Sequence, residues 1–128
     1  GGLCGSATSL LRGAWSAGLD VTDRSPHSIY YVGMYSMKDV GLDAMVSLPG
    51  SNLVFKNTTG APLMIHIKYD NADNSIVRVQ MLGTKPFQEI KFSEAARERG
   101  YYVRTRTIEA KDGTKKEEKL YSSYRKFM

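Results

Sequence analysis

Cys4 is the single cysteine of a 128-residue chain, set among glycines in the string GGLCGSATS just ahead of a helix-forming segment. A lone thiol cannot close an intrachain disulfide or join a multi-cysteine zinc site, so it is either inert packing or a reactive group. Its setting favours reactivity, because the free amides and positive dipole end at a helix N-terminus stabilise a thiolate. Gly1, Gly2 and Gly5 let the backbone approach a ligand closely. N–H groups around Gly5 and Ser6 would face the oxyanion that develops beside a nucleophile in acyl transfer.

A thiol nucleophile needs a base, and the chain holds two histidines. His27, in RSPHS, follows the stiff Pro26, and a helix between it and Cys4 can fold back to bring the two side chains within a few ångströms. His66 alternates with Ile65 and Ile67 on a strand pattern and reads as solvent-facing. One Cys and two distant His make no recognised metal-ligand spacing. GGLCG follows no strand and has no P-loop lysine, so no nucleotide or other cofactor is expected.

The elements that must position these residues follow from periodicity. Residues 6–17, SATSLLRGAWSA, predict the one helix, with Ser6 and Thr8 as caps, Gly18 as its stop, and Leu11 and Trp15 on one apolar face. After Pro26 the period changes from 3.6 to 2, and strands are expected at 28–32, 44–48, 52–57, 63–69, 76–82, 87–92, 101–108 and 118–124. The turn strings PGS, NTTG, DNADN and KDG separate them, and connections this short favour antiparallel neighbours. Residues 93–100, SEAARERG, read as a short helical turn. The expected fold is α+β: one N-terminal helix packed on a mainly antiparallel β-sheet, with Trp15, Phe55, Ile65 and Val79 in or near the core and a C-terminal β-hairpin around Lys111, Asp112 and Gly113.

The net charge of +5 is unevenly placed. Residues 1–96 carry eight Lys and Arg against eight Asp and Glu, whereas 97–128 carry ten against five, so a neutral body precedes a basic tail. The expected organisation is a domain over 1–96 and a basic hairpin extension over 97–128. Tyr101, Tyr102, Arg104, Arg106, Lys115, Lys116 and Lys119 interleave aromatic and basic character, but no RNA-binding signature accompanies them, and nucleic acid is not an expected partner. No stretch approaches the apolar length of a transmembrane helix, so any membrane tie or export signal would have to come from a segment outside these residues.

Read as strings, GGLCGSATSLLRGAWSAGL, DRSPHS, GLDAMV and NLVFKNTTGAPLMIHI resemble, in that order, the VanW family of bacterial cell-envelope proteins over roughly residues 1–92. The resemblance implies extracytoplasmic work on peptidoglycan, some members looking like L,D-transpeptidases with a cysteine nucleophile. On that pattern Cys4 would take an acyl group from a stem peptide and His27 would manage the protons. Gly2, Gly5, Ser6 and Thr8 would surround the nucleophile, and Arg24, Ser28 and Asp43 would orient the histidine or bind a carboxylate of the stem peptide. The chain departs from the pattern at Gly5, where the family usually has Gln, and at Ala7, where it usually has Ser. The competing reading is a non-catalytic envelope module that binds wall polymer or another protein through the basic tail and exposed tyrosines.

Overall fold

Why the chain folds around its first helix is clearest at that helix's C-terminal end. In the computed structural model, which describes residues 2–69 and 77–128, α1 spans Gly2–Ser16 and closes with the hydrogen bonds Leu19 N–H to Ala14 O and Gly18 N–H to Trp15 O. These are the two bonds of a Schellman motif, which needs a left-handed residue after the helix. Gly18 supplies it at φ +78°, and a Cβ there would lie 2.6 Å from Ile90 Cδ1. The stop was expected at this glycine. The start was not, because α1 takes in Cys4 and Ser6 instead of following them.

Among the described residues ten strands follow: β1 (Asp20–Asp23), β2 (Ile29–Tyr30), β3 (Val54–Lys56), β4 (Leu63–Tyr69), β5 (Val77–Gly83), β6 (Gln88–Phe92), β7 (Ala96–Glu98), β8 (Tyr101–Ala110), β9 (Lys115–Ser122) and β10 (Lys126–Phe127). They form small sheets, antiparallel except where β10 runs parallel to β2. The largest is built on β8, which carries β6 and β7 along one edge and β9 along the other. The β8–β9 hairpin turns at Asp112-Gly113 as expected, with Gly113 at φ +86° and Asp112 Oδ1 accepting from Thr114 N–H.

Several expectations are corrected. The 44–48 segment forms no strand beyond a single bridge between Ser47 and Ser51. The helical turn expected at 93–100 is instead β7, paired with Tyr101–Val103. β1, not anticipated, pairs with β3. Ile65 is 42% exposed instead of core, because α1 covers the β5 side of the β4–β5 pair, where Gly13 sits against Val79 and Met81. Trp15 is buried, while Phe55 and Val79 are half-buried. The DNADN turn and Ile76 lie outside the described residues.

Two apolar clusters form the core. Ala7, Leu11 and Trp15 of α1 meet Ala44 and Leu120, and Tyr30, Tyr35 and Val40 pack with Tyr102 and Tyr124. Leu11 is fully buried, which contributes roughly 2 kcal/mol relative to exposure. No helix among the described residues is long and apolar enough to cross a membrane.

α1 is tied to the sheet by a charge. Arg106 on β8 is fully buried, and its guanidinium donates to Trp15 O at 2.7 Å and Leu19 O at 2.6 Å, pairs with Glu118 at 3.2 Å, and lies 4.2 Å over the Trp15 ring. It thereby adds donors at the helix end, to Trp15 O beside the Gly18 N–H and to Leu19 O just past the helix. Arg104, on the same face of β8, donates to Val40 O at 2.8 Å and also to Lys38 O, pinning the 3₁₀ turn Met37–Asp39. Both arginines are therefore structural and unavailable to an external polyanion. Replacing Arg106 by Leu removes the donor to the Leu19 carbonyl and the shorter ion pair of Glu118, leaving Trp15 O with Gly18 N–H and Glu118 with Lys116 at 4.0 Å, and the expected cost is about 3 kcal/mol, read as a lower urea midpoint at unchanged slope. A loss below about 1 kcal/mol would show that the helix end does not depend on Arg106.

Candidate functional site

Residues 42–46 lie along α1 as an extended segment held by a comb of side-chain bonds. Arg12 Nε donates to Leu42 O at 3.0 Å, Thr8 Oγ1 donates to Ala44 O at 3.2 Å and accepts from Ala44 N–H at 3.0 Å, and the Cys4 thiol reaches Val46 O at 3.6 Å. The register has a simple origin: four residues of helix rise about 6 Å and two residues of extended chain about 6.6 Å. The even-numbered residues of the segment are thus bound to the helix. The odd ones are used on the other side, where Met45 N–H donates to Ser25 O at 2.8 Å and the Asp43 side chain meets residues 24–27 and the C-terminal segment.

Asp43 is fully buried. Its Oδ2 accepts from the His27 backbone N–H at 2.8 Å and stands 2.7 Å from His27 Nδ1. Its Oδ1 accepts from the Tyr124 hydroxyl and lies 3.5 Å from Arg24 Nη2. Arg24 also donates to Asp43 O at 2.8 Å, Gly41 O at 3.1 Å and Tyr121 O at 3.1 Å, so it ties the loop to the end of β9. Burial pulls the Arg24 guanidinium below its ordinary value, while Asp43 and Tyr124 oppose that shift. Burial, reinforced by the hydrogen bond to Asp43, raises the Tyr124 phenol well above the usual tyrosine range.

His27 is held by this carboxylate in a defined way. An ionised carboxylate only accepts, so the contact with Asp43 Oδ2 places a hydrogen on Nδ1, and Nε2 is the ring nitrogen left outside that bond. The ring is 14% exposed at its side chain, with the Tyr35 ring 6.0 Å away.

Cys4 is half-buried in the first turn of α1. The hydrogen bonds given above link Cys4 to Val46 and His27 to Asp43, not to each other. Their two anchors are three residues apart, which limits the Cα separation from Asp43 to Val46 to about 11 Å.

Thr8 is buried, with its hydroxyl spent on Ala44, so it supports the segment and does not face a ligand. Ser6 and Ser28 are exposed, and Ser28 O accepts from Arg125 N–H at 2.7 Å. Gly5 has open space where a Cβ would stand. Among the described residues no group of three or more His, Cys, Asp and Glu is placed to hold a metal. Tyr124 escaped the sequence reading because it meets Asp43 across 81 positions, and no local pattern marks such a contact.

A family described as VanW like protein matches residues 1–82. That span contains Cys4, Arg24, His27 and Asp43, whereas Arg104, Arg106 and Tyr124 lie beyond it. No curated protein and no solved structure matches the chain.

The phenols beside the site set a pH limit on it. Tyr30, fully buried and donating to Ser36 O at 2.7 Å, is pushed up to about 12 chiefly by burial. A group whose folded value is raised contributes stability that is full below its unfolded value, here 10.0, and is lost as pH rises through about 12. Urea unfolding should therefore show stability falling across that window, and Tyr30→Phe should flatten part of the fall. A stability curve that is level to pH 12 would contradict the burial of these phenols.

Proposed function

The chain belongs to the VanW-like family, which is associated with the cell envelope, and from that premise we propose that it is a cysteine acyl transferase acting on peptidoglycan stem peptides in the manner of an L,D-transpeptidase. The observation that carries the proposal is the buried Asp43 bonded to His27 Nδ1 at 2.7 Å, on the same short segment whose Val46 carbonyl meets the Cys4 thiol. A nucleophile, a base and a group that orients the base are the parts that acyl transfer to sulfur requires.

In this reading His27 Nε2 takes the proton from the Cys4 thiol, and the thiolate sulfur attacks the carbonyl carbon of the donor's scissile amide. The tetrahedral intermediate collapses as the C–N bond breaks. His27 gives its proton to the leaving amine, and the acyl group remains on Cys4 as a thioester. An acceptor amine then attacks the thioester carbonyl, loses a proton to His27, and forms the new amide while the sulfur leaves and is reprotonated. Water in place of the amine would make the reaction a carboxypeptidase cleavage. Asp43 keeps the imidazole in one tautomer and stabilises the imidazolium that forms in each half-reaction.

The alternative is a non-catalytic envelope-binding module. It is favoured by one observation, the Cys4 thiol resting on Val46 O at 3.6 Å as a packed structural cysteine would. Intact mass after incubation with peptidoglycan-derived tetrapeptides separates the two readings. The transferase is expected to gain one acyl group, lost in Cys4→Ala, with His27→Ala slowing its appearance about a hundredfold. His66→Ala should change little, since His66 is exposed and bonded to Gln80. A folded wild-type protein that never acquires the adduct would leave the binding module standing.

A further inference from the structure

The last strand reaches back to the histidine. β10 pairs with β2, and the bonds Arg125 N–H to Ser28 O at 2.7 Å, Met128 N–H to Tyr30 O at 2.9 Å and Val32 N–H to Met128 O at 2.8 Å lay residues 125–128 along the residues that directly follow His27. This brings in Tyr124, whose ring stands 5.1 Å from Tyr30, 5.8 Å from Tyr102 and 5.6 Å from Phe127. Its hydroxyl is bonded on both sides, donating to Asp43 Oδ1 and accepting from Gly41 N–H at 3.0 Å.

Each oxygen of the Asp43 carboxylate has a distinct task. Oδ2 serves His27, and Oδ1 is fixed by Tyr124, since Arg24 stands off at 3.5 Å and spends its shorter bonds on backbone carbonyls. Without the phenol Oδ1 keeps only Arg24 at 3.5 Å, and the rotation of the carboxylate about its Cβ–Cγ bond is set by the two His27 bonds to Oδ2 alone.

We infer that Tyr124, contributed from beyond the family-matched residues, is a positioning residue that locks the Asp43 carboxylate in the rotation that keeps His27 Nδ1 protonated and Nε2 free. The inference rests on the reading of His27 as the base. Tyr124 touches no reacting atom and acts through Asp43. The C-terminal segment is then part of the site and not an appended tail.

Nitrogen-15 NMR of the His27 ring in the full chain tests this without any assay of turnover. In the wild-type protein the Nδ1-protonated tautomer should dominate. Tyr124→Phe should mix in the other tautomer, and acyl transfer should slow about five- to tenfold, the scale of one lost hydrogen bond, with KM little changed. Phe127→Leu disturbs the same aromatic cluster but keeps the hydroxyl, and should leave the tautomer as in wild type. An unmoved tautomer in Tyr124→Phe, or an equal shift in Phe127→Leu, overturns the inference. Should Tyr124→Phe fail to fold, the unmutated protein decides: a slowly exchanging Tyr124 hydroxyl proton supports the lock, and exchange as fast as in an exposed tyrosine overturns it. Absent acyl transfer by the wild-type protein would count against the function of Cys4 and His27 and would not alter the NMR result.

Discussion

A carboxylate with no solvent contact governs this fold. Moving such a charge out of water costs several kcal/mol unless donors surround it, and removing one partner of a buried pair typically costs about 3–5 kcal/mol. Asp43 meets the requirement with the His27 backbone and ring, the Tyr124 hydroxyl and, at longer range, Arg24. These donors come from two stretches about 100 positions apart in sequence, so satisfying one side chain draws residues 24–27 and the C-terminal segment onto the same loop. The imidazole is oriented against the carboxylate because orienting it is part of how the charge is buried.

The loop that carries Asp43 is held from its other side by α1. Comb-like bonding from Arg12, Thr8 and Cys4 fixes which residues of 42–46 face the helix and therefore that Asp43 faces away from it. β8 then secures both the helix and the loop, Arg106 at the Trp15 and Leu19 carbonyls and Arg104 at Val40 and Lys38. At each place a side-chain donor satisfies a backbone carbonyl that lies outside the strand ladders.

What could be read from sequence was local. The 3.6-period segment ending at Gly18, the alternating runs of β4, β5 and β8, and the Asp-Gly hairpin each carry their signal within a few residues, and all of them form. Cys4, His27 and Asp43 were legible from residue type and from ordered strings that resemble one family. The 44–48 run alternates like a strand but pairs with helix side chains, so its pattern reported burial and not sheet pairing. Arg104 and Arg106 read only as part of the basic, aromatic tail, because their partners sit 64 and 91 positions away. Tyr124 was hidden for the same reason. Contacts of that range are products of the fold, and only elements already in place reveal them.

The proposed function depends on a pairing of His27 with Cys4. Because Cys4 is the only cysteine, alkylation of the folded protein by iodoacetamide near neutral pH reports one thiol. If His27 serves Cys4, replacing His27 by Gln should slow that reaction by roughly tenfold or more, since the thiolate is the reacting form and its base is gone. Equal rates in the two proteins, both folded, would contradict the pairing and leave His27 and Asp43 as a structural pair alone.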